Sequence, residues 1–128
     1  MSHWTTIKTE FKKKSALLKA LQMLYPDNEI VTDAVCRGYY EGQQEKCDVV
    51  VEDKTGHHDL GYRVTEDGSY EQIIDWYGVN WTSKSFVDDN LKQRYAAEVL
   101  KETADEQGMF YDEVMKLNGE MELTIESY

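Results

Sequence analysis

Residues 47–77 read CDVVVEDKTGHHDLGYRVTEDGSYEQIIDWY, and the period of their apolar side chains sets the fold. Cys47, Val49 and Val51 fall on one side, with Asp48 and Glu52 on the other. Leu60, Tyr62 and Val64 alternate in the same way around Gly61 and Arg63. A repeat of two residues marks a strand with one buried face. Asp67-Gly68 supplies a turn where positive φ costs little, so residues 70–77 return as a partner strand. The stretch is an antiparallel meander.

Working outward, residues 30–35 read as a further strand. Ala16, Leu17, Ala20, Leu21 and Leu24 recur at helical spacing behind Ser15. That helix stops by Tyr25, because Pro26 disfavours the helical conformation in the residue before it. Residues 4–9 are β-branched and aromatic, which reads as a first strand. Downstream, Ser85 with Asp88 makes a capping-box-like start for a second helix. Val87, Leu91, Tyr95 and Val99 form its apolar ridge, flanked by Ala96, Leu100 and Thr103, and Gly108 is a natural stop. Two last strands meet at Asn118-Gly119, a two-residue hairpin signal. In the second of them Met121, Leu123 and Ile125 alternate with Glu120, Glu122, Thr124 and Glu126. The order is β-α-β-β-β-β-α-β-β. It predicts an α+β two-layer fold, two helices on one largely antiparallel sheet. With one proline, eight glycines and no linker-like stretch, residues 1–128 read as a single domain.

The 128 residues hold 14 Lys+Arg against 25 Asp+Glu, a net charge of −11. Residues 1–19 contribute Lys8, Lys12, Lys13, Lys14 and Lys19 against Glu10 alone, so an acidic body carries a basic leading segment. Such a balance disfavours generic nucleic-acid or anionic-membrane binding. Apolar runs of four residues or fewer rule out membrane insertion by a helix, and no secretory h-region follows Met1. The expected location is a reducing cytoplasm.

Recognisable chemistry is sparse. Among the histidines His3, His57 and His58, the adjacent pair points to opposite sides of an extended segment and does not chelate one ion easily. Cys36 and Cys47 lie eleven apart with no further cysteine, so the spacing indicates neither zinc nor a redox pair. No phosphate loop, dinucleotide fingerprint, GxSxG or HExxH occurs. Neither a catalytic set, a metal site nor a cofactor is expected. The unusual feature is aromatic: Trp76-Tyr77-Gly78-Val79-Asn80-Trp81 ends a strand, Tyr39 and Tyr40 follow Arg37-Gly38, and nine tyrosines is a high usage. Such rings suit small cores and interface anchors alike.

Read together and in order, Met1-Ser2-His3-Trp4, Ile7-Lys8-Thr9, Arg37-Gly38-Tyr39, Asp48-Val49-Val50 and Gln93-Arg94-Tyr95-Ala96 resemble the hypothetical chloroplast open reading frame thirty-five family. These are small proteins of unknown function from cyanobacteria, red-algal plastids and cyanophages. The resemblance implies no activity, cofactor or catalytic residue. It implies an accessory role in a photosynthetic cell, beside an AAA-type ATPase or another small protein encoded nearby. Cellular members tend to finish with an Asp-Gly turn and an Arg-Trp pair. Here Asn118-Gly119 leads to Glu126-Ser127-Tyr128, so the short, acidic chain looks more like the phage-encoded branch.

The first reading is a non-enzymatic adaptor in the cyanobacterial cytoplasm. It would dock a host or phage protein through Trp76, Tyr77 and Trp81 and through Lys12, Lys13 and Lys14. A second reading is a phosphate or carboxylate sensor, or an enzyme, with His3, Arg37 and Arg94 converging on an anion pocket near Asp75. Its counterpart is that these arginines pair with acids such as Asp48 or Asp75 and hold strands to helix. A minor reading is an acidic mimic of nucleic acid.

Overall fold

The computed structural model describes residues 4–40, 42–56, 58–116 and 121–126. Strand β1 (Thr5–Lys8) leads through Phe11 into helix α1 (Lys14–Leu24). Four strands follow: β2 (Ile30–Arg37), β3 (Gln44–Val51), β4 (Leu60–Val64) and β5 (Tyr70–Ile74). Helix α2 (Lys84–Glu106) and the strands β6 (Phe110–Met115) and β7 (Met121–Glu126) complete the chain. The α+β class and the element order are those the sequence pattern predicts.

The strands divide into two sheets rather than one. Five form an antiparallel sheet in the order β1-β5-β4-β3-β2, while among the described residues β6 and β7 form a separate two-stranded sheet. The expected Asn118-Gly119 turn lies outside the described residues.

The main core fills the space between the helices and one face of the large sheet. Leu17, Ala20 and Leu21 of α1 meet Val49, Val51, Leu60, Tyr62 and Ile74, with Phe11, Tyr25, Val87 and Leu91 closing the cluster. Fully burying an aliphatic side chain of this size contributes about 1.5–3 kcal/mol. Tyr62 is completely buried and satisfies its hydroxyl by donating to Gln72 Oε1 at 2.7 Å.

The other face is covered by the molecule's own hairpin. In a flat ladder, Gln44 would stand about 23 Å from Val51, at ~3.3 Å per residue. Yet Arg37, paired with Gln44, bonds Asp59, the neighbour of Leu60, which is paired with Val51. The β2–β3 hairpin therefore folds back across the sheet. The bend lies where the pairs Thr32↔Val49 and Ala34↔Cys47 flank Asp33, whose φ is 50°. There the two-residue alternation breaks. Cys47 joins Cys36, Val50 and Ile73 in a second cluster, under Trp4, Val31 and Ala34. The expected common face of Cys47, Val49 and Val51 is thus corrected: Val49 and Val51 face the helices and Cys47 faces away.

Two boundaries move for local reasons. Strand β5 ends at Ile74 rather than Tyr77, because the Asp75 carboxylate turns back to accept the Tyr77 N–H at 3.1 Å. Helix α2 is capped by Ser83 rather than Ser85. Ser83 is extended and its Oγ accepts the Phe86 N–H at 3.1 Å, a cap worth about 1 kcal/mol.

The buried stripe of α2 is also rotated from the predicted ridge. Val87 and Leu91 are buried as expected, but Arg94, Ala97, Glu98 and Ala104 continue the stripe. Tyr95, Val99 and Leu100 instead line an apolar groove of about 750 Å³ between α2 and β1. Tyr95 keeps a structural task there. Its ring packs on Phe11, and its hydroxyl accepts the N–H groups of Lys12 and Lys13, both at 2.9 Å.

Candidate functional site

The bend in the β2–β3 hairpin carries its tip, with residues 38–40, 42 and 43, to the end of the sheet where β5 finishes. Gly38 N–H donates to the Gln43 carbonyl at 2.8 Å, and Gln43 N–H to that of Tyr40 at 3.0 Å. The Gln43 side chain then bridges to the neighbouring segment, its Nε2 donating to Asp75 Oδ2 at 3.1 Å. Asp75 is buried, and its other oxygen holds the Tyr77 N–H. One amide and one carboxylate thus fix two tyrosine-bearing turns against each other.

The outcome is a three-ring cluster. Tyr39 meets Tyr77 with centroids 4.5 Å apart at 85°, and Tyr40 at 5.0 Å and 79°. These edge-to-face contacts are the favoured aromatic geometry. The rings are nonetheless 40%, 52% and 57% exposed for Tyr39, Tyr40 and Tyr77. Gly78, at φ 80°, lets the chain turn beneath them. A Cβ there would come within 2.9 Å of His58 Nε2, so a side chain would have to displace that ring as well as adopt a strained φ.

Below the rings lies a polar base. The fully buried Asp59 accepts Arg37 Nε at 2.7 Å and Nη2 at 2.9 Å, together with the backbone N–H groups of Arg37 and Asp53. The Asp59 hydrogen bond raises the Arg37 pKa beyond its ordinary value. Asp53 Oδ2 lies 3.3 Å from His58 Nδ1, while His58 Nε2 is buried without a partner among the described residues.

A family model described as "Protein of unknown function (DUF1257)" matches residues 17–124. The chain belongs to the DUF1257 family. No curated protein and no solved structure matches it.

The match runs from within α1 to within β7 and takes in the whole tyrosine cluster of this DUF1257 member. Of the aromatic loop residues singled out from sequence, Tyr77 is the exposed one. Trp76 and Trp81 are half-buried and pack on the main core, and Trp81 Nε1 donates to the His58 carbonyl at 2.8 Å. They anchor the loop and leave Tyr77 to present a ring. Tyr39 and Tyr40 join it from a turn more than thirty residues upstream. The Arg37-Gly38-Tyr39-Tyr40 run was visible, but its meeting with Tyr77 depends on the hairpin bend.

Lys12, Lys13 and Lys14 lie at the start of α1, whereas Trp81 packs on Tyr25 at its end. The eleven-residue helix separates them by about 16 Å. Lys13 is drawn to Glu102 and Glu106 of α2 at 3.7 and 3.9 Å.

Arg37 and Arg94 are not brought together. Arg37 belongs to the Asp59 network. Arg94 is buried on α2 between Glu98 at 3.2 Å and Glu113 of β6 at 2.6 Å. Both pair with acids, as the structural alternative expected, although the acids are neither Asp48 nor Asp75. Asp48 instead accepts the Val64 N–H at 2.8 Å. His3 lies outside the described residues. Among those described, no three His, Cys, Asp or Glu side chains are placed to hold a metal ion, and no helix is long and apolar enough to cross a membrane.

Proposed function

We propose that this DUF1257 member is a non-enzymatic adaptor that docks a protein partner on the Tyr39–Tyr40–Tyr77 cluster. The exposure of three tyrosines, with Tyr40 and Tyr77 both packed on Tyr39 over a hydrogen-bonded base, carries the reading. Rigid aromatic rings give large contact area at low entropic cost, which is why they dominate interface hot spots. The net charge of −11 favours a partner with a basic face, whose arginines can stack on the rings.

The resemblance to the chloroplast open reading frame thirty-five family supports a cyanobacterial host cytoplasm, a phage-encoded form of the protein, and an AAA-type ATPase or a small neighbouring gene product as the partner. Lys12, Lys13 and Lys14 serve as the comparison surface, since they lie at the other end of α1.

The test is quantitative capture of one partner from cyanobacterial lysate by three forms: wild type, Tyr39→Ala/Tyr77→Ala and Lys12→Ala/Lys14→Ala. Thermal melts verify that each form is folded. The tyrosine variant should recover at least about tenfold less of that partner, as expected when hot-spot rings are lost. Equal recovery by the folded tyrosine variant and wild type would discard the cluster as the docking site.

A further inference from the structure

The hairpin that carries Tyr39 and Tyr40 also brings together the two cysteines of the chain. Cys36 of β2 stands opposite Glu45 of β3, and Cys47 of β3 opposite Ala34 of β2, so the two are diagonal neighbours across one antiparallel pair. Both are free, and they are 0% and 3% exposed. Their sulfurs converge over Gly61 of β4. A Cβ placed there would lie 2.7 Å from Cys47 Sγ and 2.9 Å from Cys36 Sγ. Two thiols in contact with one point are in reach of each other, although eleven residues of sequence separate them.

We propose that Cys36 and Cys47 are a reversible dithiol, closed to a disulfide by hydrogen peroxide. The two thiols are not equivalent. The proximity of the two sulfurs raises Cys36 and lowers Cys47; burial opposes the lowering of Cys47 and the Arg63 charge adds to it. The single Cys36 proton is held by the Asp59 carbonyl, to which the S–H donates at 3.4 Å. Cys47, the shallower of the two, is therefore the attacking thiolate and Cys36 the resolving thiol.

The electrons balance in two steps. Cys47 S⁻ attacks one peroxide oxygen, the O–O bond breaks, and the leaving hydroxide takes up the proton that the Cys47 thiol released, giving water and a sulfenic acid at Cys47. Cys36 sulfur then attacks the Cys47 sulfur. The S–O bond breaks, and the Cys36 proton leaves with the oxygen as water. Two thiols lose two electrons in all, and one peroxide becomes two waters. A diagonal pair in a regular ladder has Cα atoms about 7–8 Å apart, so closure draws the two arms together. A bond formed under that constraint is easily reduced, which makes it reversible by thiol exchange with glutathione. The closed ring spans residues 36–47 and includes the tyrosine-bearing turn. The inference stands on the sulfur geometry and not on the docking role of that turn.

Reduced full-length protein is treated with hydrogen peroxide under native conditions, alkylated and digested with trypsin without reduction. The expected product is a cross-link between the peptide ending at Arg37 and the peptide beginning at Cys47, with the intact mass lower by about 2 Da. Millimolar glutathione should then restore both free thiols. In Cys36→Ser the sulfenic acid at Cys47 should persist and be trapped by dimedone, whereas Cys47→Ser should stay unmodified at the same dose. Should the variants fail to fold, the wild-type peptide map alone decides. Two alkylatable thiols after peroxide, sulfinic acid at Cys47 beside a free Cys36, or cross-links only between molecules would each overturn the proposal.

Discussion

Gly61 shows how a single hydrogen atom in place of a methyl group permits the folded-back hairpin. Beyond the two sulfurs, a Cβ at this position would meet Cys36 Cβ at 3.0 Å. That atom cannot rotate away, so the β2–β3 hairpin itself would have to lift. Gly61→Ala should cost about 1–3 kcal/mol, the usual penalty of overpacking. Adding Cys47→Ala removes the nearest of the clashing atoms, so the double variant should recover part of the loss. Urea midpoints of the four forms measure this coupling, and purely additive losses would contradict it. None of this was legible from sequence. Gly61 sat in a plain strand pattern, and the pattern contains no sign that the strand two removed bends over it. The tyrosine cluster was half legible for the same reason, since its residue types stood out while the bend that joins them did not.

Between elements, the charged stripe of α2 decides how the β6–β7 ribbon is held. An isolated two-stranded ribbon is marginal in water and needs a surface to pack on. In the register of the ribbon, Tyr111, Glu113 and Met115 share a face with Ile125, Leu123 and Met121. Glu113 on that face bonds Arg94 at 2.6 Å and Lys101 at 3.0 Å, and both cations also reach Glu98. Sequence periodicity assigned the alternation of β7 correctly, with Met121, Leu123 and Ile125 half-buried and Glu122, Thr124 and Glu126 exposed. It misassigned α2, because a ridge of Val87, Leu91, Tyr95 and Val99 is more apolar than the stripe actually buried. A hydrophobic pattern has no means of indicating that Arg94 and Glu98 are buried as a pair. Arg94→Ala leaves two carboxylates facing one lysine, and breaking a buried pair of this kind costs about 3 kcal/mol or more. Hydrogen exchange should locate the effect, with protection lost from β6 and β7 before β3 and β4. Uniform loss over both sheets would show that the stripe does not act on the ribbon in particular.

For the molecule as a whole, the net charge of −11 and the buried tyrosines act on stability in the same direction at high pH, and they can be separated. Burial raises the pKa of Tyr62 well above its ordinary 10.0, and the nearby Tyr25 and Asp88 add to it. Tyr25 is raised as well, mainly by burial and against its hydrogen bond with Thr82. A raised acid pKa means that the folded state keeps its proton after the unfolded chain has lost it. The contribution is therefore intact below pH 10 and falls away as pH climbs above it towards the folded-state value. In that window each such tyrosine removes about 1.4 kcal/mol of stability per pH unit. General charge repulsion also grows as pH rises, but salt screens it, whereas a buried hydroxyl is beyond that screening. Urea midpoints at pH 9, 10 and 11 in high salt should fall steeply for the wild type and less steeply for Tyr62→Phe. The variant starts from lower stability, because Gln72 loses the hydroxyl that donates to it. Parallel pH curves for the two proteins would mean that Tyr62 is ionised as readily in the folded molecule as in the unfolded chain.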